Sequence, residues 1–228
     1  MDIDTDSLPA GIDVSRRDPV VVITMDRGEN RLHPDLLSAV EVVLEEIERG
    51  DAPAALVLTG TGKYFSNGLD LDYMGANPDE AAAILARVHA LLGRVLALDV
   101  PTVAAINGHA FAAGAMLALA CDAVVMRADR GYFCLPEADL GLPFTPGMNA
   151  LITARLSPPV AHRAMVTGHR FTGTEALAAG IATELAPEDE VLARATAIAG
   201  ELAGKPRHGI GAIKQGMYGE VIAALTAA

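Results

Sequence analysis

The chain has 228 residues, 51% of them apolar and 20% charged, which is the composition of a folded globular protein rather than a disordered one. Acidic residues outnumber basic ones 29 to 17, and the net charge of −12 with no Lys/Arg cluster excludes duplex nucleic acid as a partner. Aromatics make up 4% and Trp is absent, so the core must be built from small and aliphatic side chains.

Asp2, Asp4, Asp6 and Asp13 precede or follow closely on the first turn of the chain with no basic residue before Arg16, the reverse of a secretory or mitochondrial signal. Pro19 to Met25 then reads as a short buried β-branched strand, and Asp26 to Asn30 as a turn. Pro34 opens a helix through Glu48, its apolar residues Leu36, Leu37, Val40, Val43, Leu44 and Ile47 recurring at helical spacing. Ala54 to Thr59 is a second strand, Gly60 to Lys63 a loop and Glu80 to Leu98 a helix. Thr102 to Ile106 is a third strand, turned by Asn107-Gly108, and Ala113 to Ala120 is an alanine-rich helix.

Ala123 to Met126 and Tyr132 to Leu135 read as short strands, and residues 160 to 166 as a helix capped by Ser157-Pro158-Pro159. A helix over Thr174 to Ala179, closed by Gly180, leads to a short strand from Ile181 to Leu185. Helices over Val191 to Ala203 and about Gly209 to Ala224 finish the chain. The alternation of strands and helices predicts an α/β fold with repeated crossovers, and leaves open whether the sheet is doubly wound or a spiral. The apolar run from Val100 to Cys121 is broken by Asn107, Gly108 and His109, so no membrane span is expected. Cys121 and Cys134 form no Cys-x-x-Cys pair and read as reduced buried thiols; with a C-terminus that is no peroxisomal tripeptide, they point to the cytoplasm.

Common chemical motifs are missing. Gly60-Thr61-Gly62-Lys63 lacks the upstream glycine and the Ser/Thr of a phosphate loop, there is no Gly-x-Ser-x-Gly elbow, and the six histidines show no metal-ligand spacing. Two glycine-bearing segments remain where strands meet helices, Phe65 to Met74 and Ile106 to Met116. Glycine there lets a ligand approach the main chain, and a helix start offers unpaired N–H groups. Two such groups converging on one oxygen would stabilise an enolate or tetrahedral oxyanion. Two glycine turns that merely join strand to helix are the competing reading.

Lys63-Tyr64-Phe65-Ser66-Asn67-Gly68-Leu69-Asp70-Leu71 resembles the first oxyanion and coenzyme A loop of the crotonase (enoyl-CoA hydratase/isomerase) superfamily. Ala104 to Gly114 followed by Cys121-Asp122 resembles the second, and Phe171 to Ile181 a later family segment. The resemblance covers about residues 18 to 200. It implies one crotonase-like domain over 1–228: a spiral of strand-strand-helix units over about 12–186 and a short C-terminal helical region over about 187–228. It also implies a homotrimer or dimer of trimers, an acyl-CoA thioester substrate with coenzyme A as part of it, and no separate cofactor or metal.

By the same resemblance the oxyanion donors fall on the Leu69 and Ala113 amides. The loop Ser66, Asn67, Gly68, Asp70 and Leu71 would bind coenzyme A. Arg27 and Lys63 stand where the family places phosphate-binding cations, and as solvated surface charges they would do nothing of the kind. The first hydratase glutamate position, three residues after Ala113, holds Met116, expected to line the acyl pocket; the second aligns with Glu137. One carboxylate suits proton shuttling, and the pattern is most like the delta-3, delta-2-enoyl-CoA isomerases. Asp139, two residues on, would face away if the segment were extended. A hydratase-like enzyme, an acyl-CoA hydrolase and a non-catalytic coenzyme A-binding trimer are the alternatives.

Overall fold

The computed structural model describes residues 11–227; the acidic N-terminal stretch and Ala228, both read above for targeting, lie outside the described residues except for Asp13 and its neighbours. The chain opens with strands β1 (Ile12–Arg17) and β2 (Val20–Met25), an antiparallel pair, followed by helix α1 (Pro34–Arg49). Three turns of one spiral follow. The first holds β3 (Ala55–Gly60), β4 (Tyr64–Ser66), α2 (Leu71–Ala76) and α3 (Pro78–Ala97). The second holds β5 (Thr102–Ile106), β6 (His109–Phe111) and α4 (Ala113–Ala120). The third holds β7 (Ala123–Arg127), β8 (Phe133–Cys134) and the single turn α5 (Glu137–Leu140).

In each turn the first strand joins a six-stranded sheet of order β1-β2-β3-β5-β7-β9, and the second joins a three-stranded sheet of order β4-β6-β8. The remaining elements are α6 (Pro146–Arg155), α7 (Pro158–Thr167), α8 (Gly173–Ala178), β9 (Glu184–Ala186), α9 (Val191–Leu202) and α10 (Arg207–Thr226). The architecture is therefore the spiral of strand-strand-helix units and not a doubly wound sheet.

The larger sheet is covered on both faces, which explains why its strands read as unbroken apolar runs. Side chains alternate across a strand. Val21, Ile23, Leu56, Leu58, Ala104 and Ile106 pack into the main core with α1, α3 and α4, while Val20, Val22, Val57, Val103 and Val125 pack against Val191, Ala195 and Ala199 of α9. The small residues on α9 let it lie close to the sheet.

The predicted elements are found, with differences at short ones. β1, α2 and α6 are additional. The segments after Gly60-Lys63 and after Asn107-Gly108 form β4 and β6, each three residues long and too short to show a period. The strand expected over 181–185 sits at Glu184–Ala186, since the Ile181 and Ala182 amides both bond the Ala176 carbonyl in closing α8. Glu137 to Asp139 is a helical turn rather than extended, with the Leu140 amide bonded to Pro136 O.

The C-terminal helix α10 packs along α3 and α6 and is fastened by one buried cation. Lys214 donates to the Leu98 and Val100 carbonyls at 2.9 and 3.2 Å and pairs with Asp122 at 2.7 Å. Asp122 in turn accepts from the Thr102 amide at 2.8 Å at the start of β5. Removing the ammonium leaves two buried carbonyls without their donor and takes the cation from Asp122, which keeps its bonds from Thr102. Lys214→Met is therefore expected to lower stability by about 3 kcal/mol, read as a lower urea midpoint at unchanged slope.

Candidate active site

The two glycine-bearing segments meet. Gly68 has φ +82°, and a β-carbon there would lie 2.8 Å from the Ala112 Cβ and 3.1 Å from the Ala113 nitrogen. On the other side of the junction, a β-carbon at Gly114 would lie 2.5 Å from the Ser66 carbonyl oxygen. Neither site has room for any side chain, so the loop after β4 rests directly on the start of α4.

This junction aims two amides. The Gly68 carbonyl accepts from Leu32 N at 2.8 Å, and in a trans peptide the N–H of Leu69 then points the opposite way. The Ala112 carbonyl accepts from Met116 N at 3.1 Å as the first bond of α4, which turns the Ala113 N–H outward from the helix start. Neither amide has an acceptor among the described residues. Ala112 holds φ +50°, ψ −127°, a region costly for a residue with a β-carbon, and its own amide is pinned to Cys134 O at 3.0 Å. Strain at that corner is the local cost of the Ala113 orientation.

Leu69, Ala112 and Ala113 line a cavity of about 520 Å³ together with Glu137. This is the size of a small-molecule pocket. Its other walls are mostly apolar: Leu71 and Met74 from α2, Leu85 from α3, Phe111 from β6, Leu140, Leu142 and Pro143 around α5, and Met148 from α6. The two acids in the lining differ sharply. Asp72 is 87% exposed and ion-paired with Arg31. Glu137 is 8% exposed, and its Oε2 is buried with no hydrogen-bond partner. Burial pushes the Glu137 carboxyl up to about 7, with a hydrogen bond to its own backbone opposing part of the shift.

Of the residues singled out in the sequence, Asn67, Leu69, Leu71, Ala113 and Glu137 line this one cavity. Asn67 donates to Glu29 at 2.9 Å, which is the main reason the Glu29 carboxyl is held below its usual range. Arg27 and Asp70 line a smaller adjoining hollow of about 350 Å³ with Glu29, Arg31 and Asp72. Arg27 is bound to Asp35 at 2.7 Å, and Asp70 caps α2 by accepting from Tyr73 N at 3.2 Å.

Three of the residues singled out in the sequence lie away from the cavity lining. Ser66 is fully buried, donating to Asn30 O at 2.7 Å, so its hydroxyl braces the loop from inside. Met116 is fully buried and does not line the cavity, unlike Ala113 at the start of the same helix. Lys63 lies outside both hollows, exposed and 5.2 Å from the Tyr64 ring, in a cationic group with Arg130 and Arg170 around His109. The sequence reading also passed over Arg31, Thr145 and Met148; the Thr145-Pro146 pair, a cap residue before a first-turn proline, was the available sign of α6.

Residues 15–228 match the family model described as enoyl-CoA hydratase/isomerase. The chain belongs to the enoyl-CoA hydratase/isomerase family. Members of this family act on coenzyme A thioesters. It is 35% identical to enoyl-CoA delta isomerase 3 of Arabidopsis thaliana over 91% of this chain and 92% of that one. It is 32% identical to 2,3-dehydroadipyl-CoA hydratase of Escherichia coli K12 over 90% and 80% of the two chains. Among solved structures, an enoyl-CoA isomerase of Mycobacterium tuberculosis superposes with a TM-score of 0.88 at 31% identity, covering 95% of each chain.

Two outcomes follow from the geometry. A carboxyl whose folded value is raised from 4.5 to about 7 is destabilising once ionised: between those pH values the folded state holds a proton that the unfolded state has lost, so stability falls as pH rises. Glu137→Gln lacks that loss. It should gain on the parent progressively from pH 5 to 8, by up to about 3 kcal/mol, in chemical denaturation run across that range. Gly68→Ala must push the loop off Ala112, and it should lower kcat by at least about 100-fold in steady-state kinetics on the family's enoyl-CoA thioesters while the urea midpoint falls modestly.

Proposed function

We propose that the protein is an enoyl-CoA isomerase that moves a 3-enoyl-CoA double bond to the 2-trans position. The observation that carries this reading is the buried Glu137 carboxyl, its Oε2 without a partner, in an apolar cavity lined also by Leu69 and Ala113, whose amides are unpaired among the described residues. The C2 proton of a 3-enoyl thioester is acidified by both the thioester and the double bond. Glu137 as carboxylate removes it, and the electron pair moves onto the thioester oxygen as a dienolate. The two amides, fixed before the reaction, bind that oxygen as its charge develops. The same Glu137, now protonated, delivers its proton to C4, and the electrons return to form the conjugated C2–C3 double bond. One residue both takes and gives the proton, so enzyme and substrate end balanced.

A group with a value of about 7 suits both halves of this cycle, because neither protonation state is scarce at neutral pH. Water addition, by contrast, is favoured by a second carboxyl to hold the nucleophile. Position 116 carries a core methionine, and the other lining acid, Asp72, is exposed and bound to Arg31. The similarity to an Arabidopsis isomerase supports the same reading. The assembly as a homotrimer or dimer of trimers and the cytoplasmic setting remain part of this proposal, resting on the sequence resemblance.

The test supplies a 3-enoyl-CoA and crotonyl-CoA separately and follows conjugation of the first and hydration of the second by absorbance. Rapid conjugation with negligible hydration is expected. Glu137→Gln should lower kcat by about a thousandfold or more while an acyl-CoA still binds, and kcat/KM of the parent should fall about tenfold per unit below pH 7. Near-parent activity in that variant, or hydration as the faster reaction, overturns the assignment.

A further inference from the structure

Among the polar side chains that line the cavity and take no part in the proposed proton shuttle, Arg31, Asn67 and Asp72 bond or pair with other side chains, and Thr145 is the remaining one. Thr145, the N-cap of α6, lines the apolar wall and accepts from the Met148 amide at 3.3 Å. Behind it lies His89 of α3, 1% exposed, with its Nε2 2.9 Å from the Thr145 Oγ1. The His89 Nδ1 is buried and has no partner. That orphan atom decides the proton's place. With the hydrogen on Nδ1, a buried N–H would have no acceptor; with it on Nε2, only a lone pair goes unmatched, and nature tolerates the second far more often. The ring is neutral, since burial depresses its proton affinity.

His89 therefore donates through Nε2–H to Thr145. The Thr145 oxygen then accepts twice, from His89 and from the Met148 amide, and both lone pairs are occupied. Its own hydrogen has no acceptor among the described residues, and the cavity is the side left to it. The wall around it is hydrocarbon: Leu85, Leu142 and Met148 are also lining residues. A donor fixed in an apolar wall discriminates, because an all-hydrocarbon ligand would displace water from it and leave it unpaired.

We propose that Thr145, oriented by His89, is a specificity determinant that binds a neutral oxygen, hydroxyl or keto, carried on the acyl chain of the thioester. The proposal rests on the acyl-CoA reading of the cavity but not on the isomerase reaction. A carboxylate is disfavoured as this group, because the one cation in the lining, Arg31, is already shared among Glu29, Asp70 and Asp72.

The test is calorimetric binding of saturated straight-chain acyl-CoAs, hexanoyl to decanoyl, and of their ω-hydroxy counterparts, to the parent, Thr145→Val, Thr145→Ser and His89→Leu. For at least one chain length, the ratio of plain to hydroxylated Kd should fall about 5- to 10-fold in Thr145→Val. Thr145→Ser should restore it, and His89→Leu, which keeps the cap but frees the hydroxyl to rotate, should lower it in part. The serine variant preserves the helix cap, so a folding defect in the valine variant is separated from loss of the donor. A ratio unchanged by Thr145→Val at every length, or no binding of either series, overturns the proposal. Absence of turnover on 3-enoyl-CoA with the ratio behaving as expected would instead overturn the isomerase assignment alone.

Discussion

The site depends on one steric contact: the Gly68 backbone pressed against the Ala112–Ala113 corner. Everything that aims the two free amides passes through it. On one side, the Gly68 carbonyl is tied to Leu32; on the other, the Ala112 carbonyl is tied into α4. The contact is held from behind by the buried Asn30, which donates to Tyr64 O at 2.9 Å, accepts from Arg27 N through its side chain at 2.8 Å, and receives the Ser66 hydroxyl on its carbonyl. These are short bonds within a close-packed interior, and they cannot stretch without opening a void. A donor pair positioned this way is set before a ligand arrives, which is the condition under which backbone amides stabilise charge most effectively.

Glu137 is the energetic counterpart. Its carboxyl is placed in hydrocarbon surroundings by a single turn of helix, bracketed by the αL residue Gly141 and by the Leu142 amide bonded back to its carbonyl at 2.9 Å. No cation neutralises it, although the chain has arginines nearby; Arg31, the one that reaches the cavity wall, is engaged by three acids. The fold thus withholds the partner that would have lowered the carboxyl's proton affinity. Stability is lost at neutral pH as a result, and on the proposed reading the same burial tunes the base.

The α/β alternation was legible because long β-branched runs and amphipathic helices carry strong periods, whereas the spiral was legible only through the family resemblance. Val20 to Met25 and Leu36 to Ile47 could hardly be read otherwise. β4 and β6 were not, since three residues have no period and their pairing is set by tertiary contact. The free amides of Leu69 and Ala113 could be anticipated only through the ordered family segments; nothing in local composition tells that two peptides will be held by their carbonyls. The burial of Met116 and Ser66 away from the cavity lining was not legible for the same reason. A residue's place in a motif does not say which face of its element meets the core, and the apolar surroundings of α4 decide that for Met116. Thr145 and His89 escaped notice because they are 56 residues apart and each alone has a bland role as cap or core histidine.

The burial of Met116 bears on reaction choice more than its chemistry does. Had a methionine replaced a carboxylate while still facing the cavity, the loss of the second acid would be a single change, reversible by one substitution. Here the side chain is enclosed by a helix with no polar face, next to a corner already strained at Ala112. A glutamate at 116 would have to find room and a partner in a helix whose residues are all buried, and the same helix carries the Ala113 amide. On the proposed reading, the buried methionine at 116 and the exposed, Arg31-paired Asp72 leave Glu137 as the one buried carboxyl in the cavity lining.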